Sequence, residues 1–343
     1  MTAAGIAAEN YPFCTIEPNS GVVPVPDARL AALDAIVQSA RVVPATVEFV
    51  DIAGLVRGAS QGEGLGNQFL AHIRETAAVL QVVRCFEEAD VVHVDGGVDP
   101  LRDVETIETE LVLADLDTVA RRLERVRRTA RGGRKEDQAE AAFFEALSEH
   151  LSQGRPARGF PVPEAQAAAL RESFLLTDKP VLYVANVDEA GLVGESEAVV
   201  ALERHAEKTG AGVVRISARI ESELAELAPE EKQAFLHDLG LEEPGLHRLI
   251  RAAYALLELI TYFTAGEKEV KAWTIVRGTL APQAAGVIHT DFERTFIRAE
   301  VIPFEDYVAC DGEAGARAAG KLRIEGREYA MQDGDVVHFR VGA

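Results

Sequence analysis

Four short apolar runs set limits on how this chain can fold. They are Val47–Val50, Val79–Val83, Pro180-Val-Leu-Tyr-Val-Ala-Asn186 and Gly212-Val-Val-Arg-Ile-Ser-Ala-Arg219. Each is rich in β-branched residues and nearly free of polar interruptions, so each reads as a strand buried on both faces. Helical segments separate them. Strands of this kind alternating with helices predict an α/β fold with a parallel, doubly wound sheet. In such sheets ligands bind at the carboxyl ends of the strands, and two of the runs end there on Asp51 and Asn186.

About a hundred residues separate Val83 from Pro180, far more than the roughly 12 that a crossover needs. From Pro100 to about Leu151, Ile107, Leu111, Ala114, Val119, Leu123 and Val126 recur at helical spacing. Arg131-Gly-Gly-Arg134 breaks the pattern, and Ala139–Leu151 resumes it. This predicts an inserted antiparallel helical hairpin, with Gly154–Pro163 as the loop leading back. A helix is expected around Leu246–Thr264. Beyond it Val270–Val276, Phe296–Val301, Lys321–Ile324 and Val336–Val341 read as the short strands of a β-rich C-terminal domain.

A net charge of −21 argues against a protein that coats nucleic acid over its whole surface, and DNA is not an expected partner. It makes the hairpin tip informative, because Arg121, Arg122, Arg125, Arg127, Arg128, Arg131, Arg134 and Lys135 cluster there. Two readings stand for that cluster: a solvated face paired with Glu124, Glu136 and Asp137, or a contact for RNA phosphates. Cys14, Cys85 and Cys310 are scattered and form no C-x-x-C, which fits a reducing cytoplasm and no zinc site. The apolar stretch Ala252–Phe263 is broken by Glu258 and is shorter than the ~20 residues of a bilayer span. The expectation is a cytoplasmic protein without a membrane partner.

The segment Val47–Gly54 carries the most specific chemistry. A buried strand ends on Asp51, and Gly54 follows after two residues. Nucleoside triphosphatases use that spacing to hold Mg²⁺ through a carboxylate and to bring a backbone N–H to the γ-phosphate. Gly58, Gly62, Gly64 and Gly66 suit a mobile switch. No G-x-x-x-x-G-K-[ST] run is found in the sequence, so the chain is expected to be N-terminally incomplete and to lack the P-loop and the first strand. Leu55 cannot hydrogen-bond an attacking water, which requires the catalytic group to come from elsewhere. Asn186-Val-Asp-Glu189 resembles the N-K-x-D base reader of guanine-specific proteins, with Val187 for the lysine and Glu189 for the aspartate. Adenine offers no donor at N1 for a carboxylate, and the longer Glu189 can swing its charge away, so the change predicts a shift towards ATP.

Tyr11-Pro-Phe-Cys-Thr-Ile-Glu-Pro-Asn19, Asp51-Ile-Ala-Gly-Leu-Val-Arg-Gly-Ala-Ser60, Gly62-Glu-Gly-Leu-Gly-Asn67, Asn186-x-x-Glu189 and Gln332-Asp-Gly-Asp-Val-Val-His-Phe339 resemble the YchF-type Obg-related ATPases along the whole chain. The resemblance implies an Obg-type G domain (1–98 and 175–256), the inserted hairpin (99–174) and a TGS domain of β-grasp type (257–343). It implies an Mg²⁺-dependent ATP-hydrolysing switch associated with ribosomes through the Arg121–Lys135 tip and the TGS domain. A truncated, inactive ribosome-binding protein is the alternative.

By the same resemblance Thr15 and Asp51 hold Mg²⁺. Gly54, Asn186, Val187, Glu189, Ser217 and Ala218 bind the nucleotide, with Val187 on or beside the base. His93 is the catalytic residue, since an imidazole near its ordinary pKa can orient or deprotonate water. The K⁺ dependence of some relatives would rest on a P-loop residue that is not found here. Trp273 and His289 read as structural.

Overall fold

The computed structural model describes residues 19–52, 65–87 and 97–342. Among them run β1 (Asn19–Pro24), β2 (Val42–Val43), β3 (Thr46–Asp51), β4 (Val79–Arg84), β5 (Val181–Asn186), β6 (Gly212–Ile216), β7 (Leu259–Gly266), β8 (Glu269–Val276), β9 (Phe296–Pro303), β10 (Arg323–Glu325) and β11 (Asp335–Val341). The chain divides into two compact units. One holds the described residues of 50–246 together with 19 and 20, the other 21–49 and 247–342. Residues 21–49 therefore group with the C-terminal residues, where the sequence reading assigned all of 1–98 to the G domain.

In the first unit β4, β5 and β6 form a parallel sheet in that order. Its register aligns Val79 with Val181, Arg84 with Asn186, and Asn186 with Ile216. Every residue from Val181 to Ala185 is buried, as the uninterrupted apolar run requires. One cluster joins Val83, Tyr183 and Ala185 to Val199, Leu202 and Ala206 of the helix Glu197–Thr209, and to Val104. A second joins Leu70 and Ile73 of the helix Leu65–Glu75 to Leu111, Ala114 and Leu176. The strand ending on Asp51 is outside this sheet. Its partner is β1, in a two-stranded sheet.

The hairpin has its expected form. Its first helix, Pro100–Ala130, starts with Pro100 at the first turn and Asp99 as cap, whose carboxylate accepts the Arg102 N–H at 3.1 Å. Gly133, at φ +80°, turns the chain. The second helix is Lys135–Ser152, four residues longer at its start than the sequence spacing gave. Glu136 and Asp137 fill its first turn, where acidic groups favour the helix dipole. Val119, Leu123 and Val126 pack against Phe144, Leu147 and Leu151. The root is fastened by Asp115, which is fully buried. Its carboxylate accepts the N–H groups of Leu176 and Thr177, each at 2.8 Å, and the Thr177 hydroxyl at 2.7 Å. Burial holds the Asp115 pKa above its ordinary value against these bonds.

The second unit is a six-stranded sheet in the order β10-β9-β11-β7-β8-β2. β11 with β7 and β2 with β8 are parallel, and the other pairs are antiparallel. The helix Ala281–Ile288 packs on it through Ala281, Ala284 and Ala285. The single helix expected over Leu246–Thr264 is instead a helix, Gly245–Leu256, followed by β7. Glu258 takes φ +53° between them. Ile260, Thr261, Tyr262 and Phe263 are β-branched or aromatic and all buried, so tertiary burial overrides the helical spacing. The Gln332-Asp-Gly-Asp335 motif is explained here. Asp333 accepts the Thr261 N–H and Arg29, both at 2.8 Å. Gly334 takes φ +87°, and buried Asp335 accepts from the Tyr329 hydroxyl and the Gln332 N–H. Trp273 stacks on Tyr262, as befits a structural residue. Among the described residues no helix is long and apolar enough to cross a membrane.

Candidate functional site

The site is built at the carboxyl end of β5. Asn186 is the last residue of that strand, and its side-chain oxygen accepts the Ala218 N–H at 3.0 Å. That oxygen is thereby committed, and the amide NH₂ is left to donate to a ligand acceptor. The Asn186 carbonyl accepts the Cys85 N–H at 2.8 Å, and the Val187 N–H donates to the Ile216 carbonyl at 2.8 Å. Strand ends β4, β5 and β6 are thus tied around one residue. Burial pushes the Cys85 thiol up to about 11, which keeps it protonated and unreactive.

Beyond Asn186 the chain turns into the short helix Glu189–Val193, with Asp188 as cap accepting the Gly191 N–H at 2.8 Å. Glu189 stands exposed in its first turn, clear of the core. A Cβ on Gly191 would come within 2.9 Å of the Val187 Cβ, so the packing there requires glycine. Ser217 is buried at the start of the helix Ala218–Glu226, and Ala218 is exposed. The structure therefore brings Asn186, Glu189, Ser217 and Ala218 to one end of the sheet.

Val187 is a correction. It was expected on or beside the base, yet it is 2 % exposed and lies in the cluster with Val83, Cys85 and Val199. An aliphatic side chain following a strand end buries more apolar area inward than a ring could cover outward.

Asp51 ends β3 with its side chain exposed. Thr15, Gly54 and His93 lie outside the described residues, as do Leu55, Cys14 and the switch glycines Gly58, Gly62 and Gly64. Among the described residues no three His, Cys, Asp or Glu converge as a metal site.

Sequence reasoning did not single out Asp115, and a lone Asp in a helical run carries no signal for its role. It also left open the state of the hairpin cations. Arg127 pairs with Glu145 at 2.8 Å, Arg122 with Glu140 at 3.0 Å, Arg128 with Glu124, and Arg134 with Glu136 at 3.3 Å. Arg125, Arg131 and Lys135 are exposed and stand outside these pairs.

Two family models match the chain. The model of 50S ribosome-binding GTPases covers residues 1–118, and YchF-GTPase_C, described as a protein of unknown function (DUF933), covers 259–342. The ribosome-binding ATPase YchF of Haemophilus influenzae is 57 % identical over 341 residues, which is 99 % of this chain and 93 % of that protein. The protein of the same name from Bacillus subtilis is 51 % identical over 342 residues, with the same coverage. The solved structure of the Schizosaccharomyces pombe YchF GTPase superposes with a TM-score of 0.85 at 37 % identity, covering 96 % of this chain and 90 % of that one. These matches do not bear out the expectation that the chain is N-terminally incomplete, without its P-loop. With a relative this similar over nearly the full length of both chains, and a solved fold to match, the chain belongs to the YchF family.

Proposed function

We propose that this protein is an adenine-nucleotide switch: an ATPase whose nucleotide state governs its association with ribosomes. The observation that carries the nucleotide reading is the bond from the Ala218 N–H to the Asn186 side-chain oxygen. It engages that oxygen and leaves the NH₂ as a donor for the N7 acceptor that both purines present. Discrimination between the purines then falls to Glu189. Guanine needs a carboxylate held against its N1–H and N2–H₂, and the longer, exposed Glu189 is not held there, so guanine's donors go unanswered while adenine has none at N1 to lose. The exposed, flexible Glu189 side chain turns its charge to solvent when adenine is bound. Ser217 and Ala218 line the same end through their backbone.

Thr15 and Asp51 would hold Mg²⁺, directly or through water, and the ion would neutralise charge on the terminal phosphates. Gly54 would let its backbone approach the γ-phosphate. His93 would orient the attacking water, a role that Leu55 cannot fill. His93→Ala is expected to lower the rate of ATP hydrolysis by a factor of ~10² or more while ATP affinity stays within about twofold. Unchanged turnover in a steady-state phosphate-release assay would remove His93 from the mechanism.

The ribosome reading rests on the relatives' names and on the hairpin tip, with the β-grasp unit as a second contact of TGS type. Because Arg127 and Arg128 are occupied by Glu145 and Glu124, the outward charge comes from Arg121, Arg125, Arg131 and Lys135. Co-sedimentation with ribosomes should weaken steeply with salt. The triple change Arg125→Glu, Arg131→Glu, Lys135→Glu should reduce it by about tenfold or more. Retention unaffected by both salt and charge reversal would show that the tip does not touch RNA.

A further inference from the structure

The outermost strand of the C-terminal sheet carries an exposed apolar residue beside a group of guanidiniums. Among the described strands β10 pairs with β9 alone, so one of its edges lacks a neighbour. Ile324 at its centre is 64 % exposed. The register sets Ile324 opposite Glu300 of β9, and Glu300 opposite His338 of β11, so the three side chains share one face. Two residues along that face, Arg298 stands opposite Arg340.

Glu300 is buried beneath these cations. It accepts from the Arg340 Nε and Nη2 at 3.1 and 3.0 Å, from Arg298 at 3.2 Å and from Arg317 at 3.4 Å. Hydrogen bonding from Arg340 leads the effects that draw its pKa down to about 2, so it is ionised throughout the physiological range. Arg317 also pairs with Glu313 at 2.9 Å. The three guanidiniums remain about half exposed, and each has N–H donors beyond those given to the two carboxylates. Three cations against two acids leave the patch positive in a chain of net charge −21.

We propose that this edge is a docking site for an extended acidic segment of a partner protein, which adds to β10 as a further strand, sets an apolar side chain on Ile324 and offers carboxylates to Arg298, Arg317 and Arg340. The unpaired edge supplies main-chain hydrogen bonds, and the period of two supplies the alternation. The next position on the same face as Ile324 is Gly326, where a Cβ would meet nothing within 4 Å, so the way towards Arg298 is open. An exposed aliphatic at the centre favours a peptide over RNA, whose backbone has no aliphatic group to cover it. Arginine around an apolar anchor is also the usual make-up of a protein interface.

The test uses the full chain and a fluorescent pool of short peptides in which Asp or Glu alternates with Val, Ile or Leu. A pool of the same composition, with acids and apolar residues in separate blocks, is the control. The alternating pool should bind more tightly by fluorescence anisotropy. Affinity should fall at least about tenfold in Ile324→Asp, and again in Arg298→Gln with Arg340→Gln. Ile324→Asp leaves the Glu300 network in place, and an unchanged thermal midpoint for this variant separates loss of docking from loss of fold. Equal affinity for the two pools, no binding of either, or binding indifferent to Ile324→Asp would each overturn the proposal. So would a single-stranded RNA that binds where the peptides do not and is lost in the arginine variants, since that would make the patch a phosphate site.

Discussion

Asp115→Ala is expected to destabilise the protein by about 3–5 kcal/mol, close to the limit for a single substitution. The wild-type carboxylate is fully buried and receives three hydrogen bonds, from two backbone N–H groups and the Thr177 hydroxyl. Truncation leaves those donors facing an apolar gap, each at a cost of ~1–3 kcal/mol unless water enters. The Thr177 hydroxyl also accepts the Ala157 N–H at 2.9 Å, so its loss of orientation spreads to the return loop. Equilibrium urea unfolding measures this directly, as a lower midpoint at nearly constant slope. A change below ~1 kcal/mol would mean that solvent reaches the hairpin root and that Asp115 is not its fastener.

The second large effect belongs to Asn186. Asn186→Ala removes both the anchor to Ala218 and the donor proposed for the base, with the fold otherwise supported by buried β5. Losing one well-placed amide is worth about 1–3 kcal/mol, which is roughly 5- to 150-fold in affinity. Because N7 is common to adenine and guanine, ATP and GTP affinities should fall by the same factor and their ratio should stay put. Glu189→Asp should do the reverse. It moves the ratio towards GTP by shortening the side chain that now swings away. If Asn186→Ala altered the ratio and not the affinities, the division of labour between these residues would be wrong.

Much of this was legible in the residues. The runs at Val79, Pro180 and Gly212 became parallel neighbours, because a strand apolar on both faces has few places to go. The hairpin was equally plain, since its apolar stripe and its Arg131-Gly-Gly-Arg134 break are both local signals. The reading went astray where partners distant in sequence decide. Leu259–Gly266 carries helical spacing but pairs with β8 and β11, and that burial cannot be seen from the segment itself. Val187 has the residue type of a ring-stacking position, and only its neighbours across 83–202 show that it faces inward. Asp115 gives no sign of its role until Leu176 and Thr177, some sixty residues on, arrive beside it. Residues 21–49 join the C-terminal unit through pairing of Val42–Val43 with β8, a contact across more than two hundred residues.

The central claim is that the strand end at Asn186 and Glu189 accepts adenine in preference to guanine. Competitive displacement of a fluorescent adenine nucleotide from the full chain, by ATP and by GTP in the presence of Mg²⁺, tests it most directly. The account predicts that ATP competes at least about tenfold more tightly than GTP, the ~1–3 kcal/mol that one mismatched base edge carries. GTP competing as well as or better than ATP would contradict it.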